Sequence, residues 1–343
     1  MKSMRSLSRR IWFPLLLVTS IQLCPPSLAQ DDFSFDGYVA TTATTVYKAL
    51  HPEIFYHAKV EVQYKVNKMM EAQLELKGQS NEGERIRFRE ANIRVKLGKE
   101  DKIKVGNMKK LVGEEEMYSE EDLVTIDRTY IYTYISPMNH VGRDIGVQYV
   151  HESKESDLDY SIGAYMNNSR TFAAVGRISS AALLSSTTLA ASAVIQNQQL
   201  DEGTSVATVL GNLSASHNDK AFYWNVEGFA GIDPFASRFR QLEEGSTKAR
   251  VWLAGGKAVG SYFFRFDDED HRGIEPVFLT GYLVPDTRNS KVYTLELLVG
   301  VNYYFDKHTR LRLNIHPLLT ANGVNNEFSQ VGSSAILEFQ LRW

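Results

Sequence analysis

The stretch YTLELLVGVNYYF, residues 293–305, decides the fold class. Successive side chains of a β-strand point to opposite faces, so odd and even positions form two separate faces. The odd face is Tyr293, Leu295, Leu297, Val299, Val301, Tyr303 and Phe305, and the even face is Thr294, Glu296, Leu298, Gly300, Asn302 and Tyr304. One face is wholly apolar and has aromatic rings at both ends, which is typical of lipid-facing barrel strands.

The same alternation recurs along the chain. Residues 56–66, 70–77 and 310–316 place polar, mostly charged side chains at every second position, so this second face meets water. A face this polar does not fit the packed core of a soluble sandwich. We therefore predict an all-β protein, a transmembrane antiparallel β-barrel of sixteen strands, at 33–47, 55–66, 68–78, 84–97, 101–107, 143–151, 157–166, 171–179, 184–196, 204–217, 220–231, 257–266, 274–284, 291–305, 309–317 and 332–343.

The connections fit this strand count. An even number of strands brings both termini to one side of the membrane, where the turns of bacterial barrels are short. Asn218-Asp219, after strand ten, is such a turn, whereas 108–142, 232–256 and 318–331 lie on the other side and are long. A barrel of this size encloses a lumen, so no packed interior core is expected.

Residues 1–29 have the features of a cleaved signal peptide. Four basic residues precede an apolar core over Ile11–Leu23, and Ser27-Leu28-Ala29 places small residues where a signal peptidase cleaves. We expect two parts, the signal peptide 1–29 and one barrel domain 30–343. The chain ends on an alternating strand that closes with Trp343, like the assembly signal of bacterial outer-membrane barrels, so the expected location is the outer membrane.

The composition argues against several other classes of protein. Residues 30–343 contain 34 basic and 41 acidic residues, a net charge of −7 without a basic run, so no nucleic-acid partner is expected. The only cysteine, Cys24, lies in the signal peptide, which excludes disulfides and thiolate chemistry. The histidines show no metal-ligand spacing, and no Ser/His/Asp pattern is found. We therefore expect no cofactor, no metal and no enzymatic activity.

Several blocks of residues resemble the phosphate-selective porin O and P family. They are RIRFREA at 85–91, VKLG at 95–98, KVGNMK at 104–109, LVTIDR at 123–128 and GRDIGV at 142–147, with a weaker match in VGVNYYF at 299–305 and TRL at 309–311. The resemblance implies a homotrimeric, sixteen-stranded channel whose lumen arginines and lysines attract small anions. It also implies that 108–142, the longest connection and the third external loop, folds into the lumen. Arg85, Arg87 and Arg89 resemble the family's basic strand, and Lys109 resembles the lysine that begins the constriction loop.

Alternation and resemblance together give a set of candidate pore-lining residues. The apolar positions change parity near residues 89–91, so we predict a β-bulge there. The alternative role for these charges is a network of cross-strand salt bridges in the barrel wall. We further expect the acidic stretch 114–122 to reach the external mouth. The candidates are Arg85, Arg87, Arg89, Arg94, Lys96, Lys102, Lys104, Lys109, Arg310 and Arg312.

The expected function is a passive diffusion channel for small hydrophilic solutes or ions, with an anion preference implied by the resemblance. Its expected partners are outer-membrane lipid, the solutes and two further copies of the chain. Two alternatives stay open at this stage. One is a structural or adhesive barrel without selective transport, and the other is a barrel enzyme.

Overall fold

The computed structural model describes most of the chain. The described residues are 32–46, 51–80, 85–153, 157–167, 171–184, 186–201, 204–219, 221–266, 271–322, 327–329 and 332–343. The predicted signal peptide 1–29 lies outside them. In this part of the chain, no helix is long and apolar enough to cross a membrane.

Sixteen barrel strands form in chain order. Three of them are interrupted once, which divides each into two segments. The strands are β1 Phe33–Val46, β2 Glu53–Lys65, β3 Met70–Gln79, β4 Arg85–Lys96, β5 Asp101–Lys109, β6 Arg143–His151, β7 Leu158–Met166, β8 Phe172–Leu184, β9 Thr187–Asp201, β10 Thr204–Asn218, β11 Phe222–Asp233, β12 Val251–Tyr262 with Phe264–Arg265, β13 Gly273–Val284, β14 Tyr293–Tyr304, β15 Thr309–His316 with Leu318–Asn322, and β16 Glu327–Ser329 with Ser334–Arg342.

Each strand pairs antiparallel with the next, and the sheet closes on itself. The closing pair is β1 with β16, in register from Tyr38 opposite Arg342 to Val46 opposite Ser334. Sixteen strands in a closed antiparallel barrel confirm the predicted fold class. We call the end of the barrel where β1 begins and β16 finishes the terminal end, and the opposite end the loop end.

The outer surface is apolar, as the alternation predicts. Large side chains on it are more than half exposed; they include Ile162, Ile195, Leu213, Phe278 and Val299. A water-soluble protein of one chain rarely leaves so much apolar area open. Near the terminal end, aromatic rings cluster on the same surface, with Phe33 stacked on Tyr64 at 4.4 Å between centroids. This arrangement fits a band of lipid bordered by an aromatic girdle.

The predicted bulge is present in β4. Glu75 of β3 pairs with Glu90, but the next residue, Leu76, pairs with Phe88, so Arg89 is the extra residue. The bulge reverses which positions face inward, and both Arg87 and Arg94 therefore line the lumen.

Two helices lie in the long connections. Helix α1, Tyr130–Ile135, belongs to the loop between β5 and β6, and helix α2, Pro234–Glu244, follows β11 at the loop end. The Asp233 side chain caps α2 by accepting the Ala236 N–H at 2.9 Å. Gly245, with φ +62°, ends α2 in the left-handed conformation that glycine adopts most easily.

The loop between β5 and β6, residues 110–142, packs against the inner wall. Ile131, Tyr132 and Ile135 of α1 are buried against inward side chains of the barrel, which are Tyr165, Ala173, Val175, Val194, Leu210, Phe229, Leu253 and Leu283. The expectation of a lumen without a packed core is therefore wrong for strands β7–β13. Here both faces of the wall are apolar, one toward lipid and one toward α1.

This second apolar face explains one of the least accurate strand bounds. The prediction for strand twelve began at residue 257, but β12 begins at Val251, and Val251 and Leu253 face the interior core. Strand nine was predicted to end at 196 but continues to Asp201, and there the reason is the opposite, because Asn197, Gln198 and Gln199 are polar on both faces. Where the two faces of a strand are alike, polar and apolar side chains no longer alternate, so the sequence gives only a weak signal for the strand.

Candidate functional site

The loop 110–142 is held in the lumen by a buried lysine on the wall. Lys257 of β12 lies between Glu227 of β11, at 3.0 Å, and Glu115 of the loop. All three side chains are almost completely buried. Gly113 approaches the wall closely here: its N–H donates to Ser192 Oγ at 3.0 Å, and a Cβ at this position would lie 3.1 Å from Glu227 Oε1 and 2.0 Å from the Tyr132 hydroxyl of α1. Its φ of +78° also favours glycine.

A second attachment joins the loop to β2, β3 and β4. The Glu120 carboxylate binds Arg89 at 2.8 Å and also binds Lys77, and the neighbouring Glu121 binds Lys59. Burial acts to raise the pKa of Glu120, but the charges of Arg89 and Lys77 outweigh it and hold that pKa well below its usual value. Glu120 therefore stays ionised and bound in mildly acidic water.

A third attachment joins the loop to β14, β15 and β16. Arg312 binds Glu338 and donates to the loop carbonyls of Leu123, at 3.1 Å, and Thr125, at 2.8 Å. Arg310 donates to Gln340 at 2.7 Å and to the Glu121 carbonyl. The guanidinium groups of Arg310 and Arg312 thus hold the loop and are already hydrogen-bonded within the protein.

The acidic stretch 114–122 does not reach the external mouth, so that expectation is wrong. Glu114, Glu115, Glu116 and Glu121 are all buried. Each is bound to a cation of the lumen, and besides the pairs above these are Glu114 with Arg177 at 2.8 Å and Glu116 with Arg128 at 3.6 Å. Each of these buried carboxylates is neutralised by a neighbouring cation, and this pairing avoids the several kcal/mol that burying an unpaired charge costs.

Two chambers remain open in the lumen, one bordered by β3–β6 with β15 and β16, and one bordered by β2–β8. The loop-end chamber, about 860 Å³, is lined by Arg87, Arg89, Arg128 and Arg143 with Glu120. The terminal-end chamber, about 320 Å³, has a charged lining of both signs: Arg94, Lys104, Lys109 and Arg177 with Glu61, Glu75, Glu90, Glu116, Glu152 and Asp159. Both contain more than one basic side chain from the predicted set.

A layer of ion pairs lies between the two chambers. Arg143 binds Glu90 at 3.0 Å and Glu75 at 3.5 Å, and Arg89 lies 3.6 Å from Glu75. The two arginines face the loop-end chamber and the two glutamates face the terminal-end chamber. A solute that travels from one chamber to the other passes this layer.

The structure separates the ten predicted residues into groups. Only the backbone of Arg85, at the start of β4, is described. Arg87 and Arg89 line the loop-end chamber, and Arg310 and Arg312 lie under the loop. Lys96 binds Glu71, Lys102 binds Glu152 at 2.5 Å, and Lys109 donates to the Tyr118 carbonyl at 3.0 Å. Arg94 and Lys104 line the terminal-end chamber.

Arg94 and Lys104 differ from the other bases in their surroundings. They are direct cross-strand partners on β4 and β5, as are Lys96 and Lys102 beside them. Like charges opposite each other are unfavourable, and they persist where a counter-charge can be supplied. Arg94 donates to the neutral Gln73, and in the described part of the chain no carboxylate lies within 4.0 Å of either cation.

The predicted set missed several cations that the structure brings into the lumen, among them Lys59, Lys77, Arg128, Arg143, Arg177 and Lys257. Lys257 could have been found, because it shares parity with Val259 and Ser261 on β12. Arg143 begins a strand and Arg128 lies in the loop, so alternation gives no signal for either.

Comparisons with known proteins bear on this architecture. A model of the phosphate-selective porin O and P family matches residues 53–212, which run from β2 through the loop to β10. The match confirms the resemblance seen in the sequence. The chain is an outer-membrane porin.

Solved structures of bacterial outer-membrane proteins share the fold of this chain. The outer-membrane channel DcaP of Acinetobacter baumannii has a TM-score of 0.65 at 9% identity, covering 91% of this chain and 97% of that one. The anion-selective porin of Comamonas acidovorans has a TM-score of 0.64 at 12% identity, covering 91% and 99%. The trimer form of OmpT, an outer-membrane protein of Vibrio cholerae, has 0.60 at 13% identity, with the same coverage. No curated protein sequence matches the chain.

Proposed function

We propose that this porin is a passive diffusion channel for small hydrophilic solutes with a weak preference for anions. The observation that carries the preference is the Arg94–Lys104 pair in the terminal-end chamber, where two cations face each other without a described carboxylate partner. The anion-selective porin of Comamonas acidovorans, with the same fold, supports the same sign of preference.

The preference is weak because most lumen charges are compensated. Loop acids pair with Lys59, Lys77, Arg177 and Lys257, and Glu75 and Glu90 pair with Arg143. Exposed charges act over about 8 Å at physiological salt, so distant pairs contribute little to a passing ion. Arg94 and Lys104, which have no described carboxylate partner, therefore affect a passing ion more than the larger number of paired charges does.

Replacing Lys104 with glutamine is expected to move the reversal potential toward cations. A unit charge about 7 Å from an ion in water contributes about 0.6 kcal/mol, so anion permeability should fall about threefold. The measurement is the zero-current potential of single channels in asymmetric KCl. The matched control is Lys102→Gln, which removes a base already bound to Glu152. An equal or larger shift in the control would refute the role of Lys104.

We also propose that the porin carries no catalytic centre. One arrangement on its surface has the order of a nucleophile, a histidine and an acid: Thr187 lies 3.4 Å from His217, which lies 3.4 Å from Asp219. Asp219, however, accepts the N–H groups of its own turn, and His217 stacks on Trp224. This is better explained as part of the aromatic girdle and its turn than as a hydrolytic triad.

The proposed assembly is a homotrimer of the chain after removal of residues 1–29. The trimer form of the Vibrio cholerae neighbour supports the oligomeric state. Small outward residues of β8–β12, such as Gly176, Ala193 and Gly228, would let two barrel walls approach closely. Native mass spectrometry of the porin extracted from outer membranes tests both points at once. The expected mass is that of three chains beginning at Gln30. A single chain, or a chain that keeps Met1, would contradict the corresponding part.

A further inference from the structure

A third lumen cavity lies apart from the two chambers. This side alcove, about 720 Å³, opens among β11–β14 near the turns that carry Asp219 and Lys307, at the terminal end. It shares no lining residue with either chamber. Its volume is in the range of small-molecule sites.

One segment of the loop forms the wall between the alcove and the terminal-end chamber. Glu115 and Tyr118 line the alcove, whereas Glu116, Met117 and Ser119 line the chamber. The segment is fixed, because Glu115 binds the buried Lys257. The alcove is thus a side pocket and does not lie on the route from one chamber to the other.

The loop also covers the alcove on its inner side. Val124 packs on an apolar patch of the barrel wall, made by Val259, Val277, Leu279 and Leu298. The Val124 carbonyl accepts the Asn302 side chain at 2.9 Å, which holds the cover in place. Inward aliphatic side chains of this kind are unusual for a wall that meets water.

Aromatic rings complete the lining. Tyr118 comes from the loop, Tyr223 from β11, Phe263 from β12 and Tyr304 from the end of β14. Phe263 and Tyr304 meet edge to face at 5.2 Å between centroids, and all four rings are half-buried, so each keeps an accessible surface. Arg265 lies over one face of Phe263 and Arg310 over one face of Tyr304, each at 6.0 Å from the ring centroid. The accessible parts of the four rings can stack on another flat ring.

The deeper charges of the alcove already have protein partners. Glu275 accepts hydrogen bonds from Ser261 at 2.7 Å, Asn302 at 2.9 Å and Tyr304 at 2.7 Å. Lys257 is bound by two glutamates, and Asp122 binds Arg342 at 2.6 Å. A charged ligand would gain little from these deeper groups and would lose its hydration. The other basic residues of the lining, Arg265, His271 and Lys307, are exposed and lie at the rim.

From these features we infer that the side alcove binds an uncharged solute with a planar aromatic ring. The aromatic rings and the lining side chains of Leu123, Val124 and Val259 offer few hydrogen-bonding groups, which disfavours a sugar, whose hydroxyls all need partners. The site is separate from the Arg94–Lys104 pair, so ring binding and ion preference are independent properties of the porin.

Nicotinamide is a suitable probe, because it is uncharged, aromatic and water-soluble. Saturation-transfer difference NMR on the porin in lipid nanodiscs should show transfer to its ring protons. Nicotinate, with the same ring and a negative charge, and methyl glucoside, a neutral sugar, should both give weaker signals. A stronger signal from nicotinate that is lost in Phe263→Ala would make the alcove an anion site, and a stronger signal from methyl glucoside that is lost in this variant would make it a sugar site; either result overturns the proposal.

Variants on one strand segment test the location. Phe263→Ala should weaken nicotinamide binding roughly three- to tenfold, the factor expected for the loss of one ring contact. Tyr262→Ala is the matched control, since Tyr262 is the preceding residue and lies on the exposed outer surface. Tyr223→Ala, on a different strand, should repeat the effect if Phe263→Ala folds poorly. Unchanged binding in folded Phe263→Ala and Tyr223→Ala, or equal loss in Tyr262→Ala, would place the ligand elsewhere and refute the proposal.

Discussion

Replacing Lys257 with methionine is expected to cost about 3–5 kcal/mol of folding free energy and to raise single-channel conductance. Lys257 is the only described cation bound to both Glu115 and Glu227. Without it two buried carboxylates face each other unpaired, which is the costly way to break a buried ion pair. Release of Glu115 would free the loop segment that narrows the lumen. Unfolding in denaturant measures the first effect, and planar-bilayer recordings measure the second.

Two further variants show whether charge is the cause. Lys102→Met removes an exposed pair and should cost at most about 1 kcal/mol. Adding Glu115→Gln and Glu227→Gln to Lys257→Met removes the unpaired charges and should restore part of the lost stability. If Lys257→Met is as stable as the native porin and conducts equally, the loop does not depend on this attachment.

An arginine at Leu297 is expected to destabilise the barrel by about 2–4 kcal/mol, the cost of a charge near the midplane of the bilayer. Leu297 is the fifth of twelve residues in β14, and its side chain lies on the lipid face between aromatic ends. Refolding into lipid vesicles as a function of urea measures the change.

The matched control places the same charge inside the barrel. Gln63 of β2 faces the lumen, where it donates to Glu61 at 2.8 Å, so Gln63→Arg gains a nearby carboxylate and meets water. It should change the folding free energy by less than about 1 kcal/mol. Equal losses for Leu297→Arg and Gln63→Arg would show that the two faces of the wall are not lipid and water.

The wall of a bacterial porin contacts lipid on one face and water on the other, and this is why so much of the barrel could be predicted from the sequence. Each outward side chain meets lipid and each inward one meets water, so residues 293–305 carry their assignment locally. The same logic located the bulge, since Ile86 and Phe88 have one parity and Ile93 and Val95 the other. The rule is less accurate in β12, where inward residues such as Leu253 contact the core around α1 instead of water.

The sequence by itself determined the sixteen strands, their lipid faces, the long third loop and the family resemblance, because each depends on residues close together in the chain. Only the tertiary structure decided which charges are compensated. Lys257 and Glu115 are 142 residues apart, and Arg312 is 189 from Leu123. These pairs exist because the loop crosses the lumen and meets strands from every part of the barrel. The alternation pattern therefore predicts the same inward position for a basic residue that attracts a passing anion, as proposed for Lys104, and for one that holds the loop, as Arg312 does.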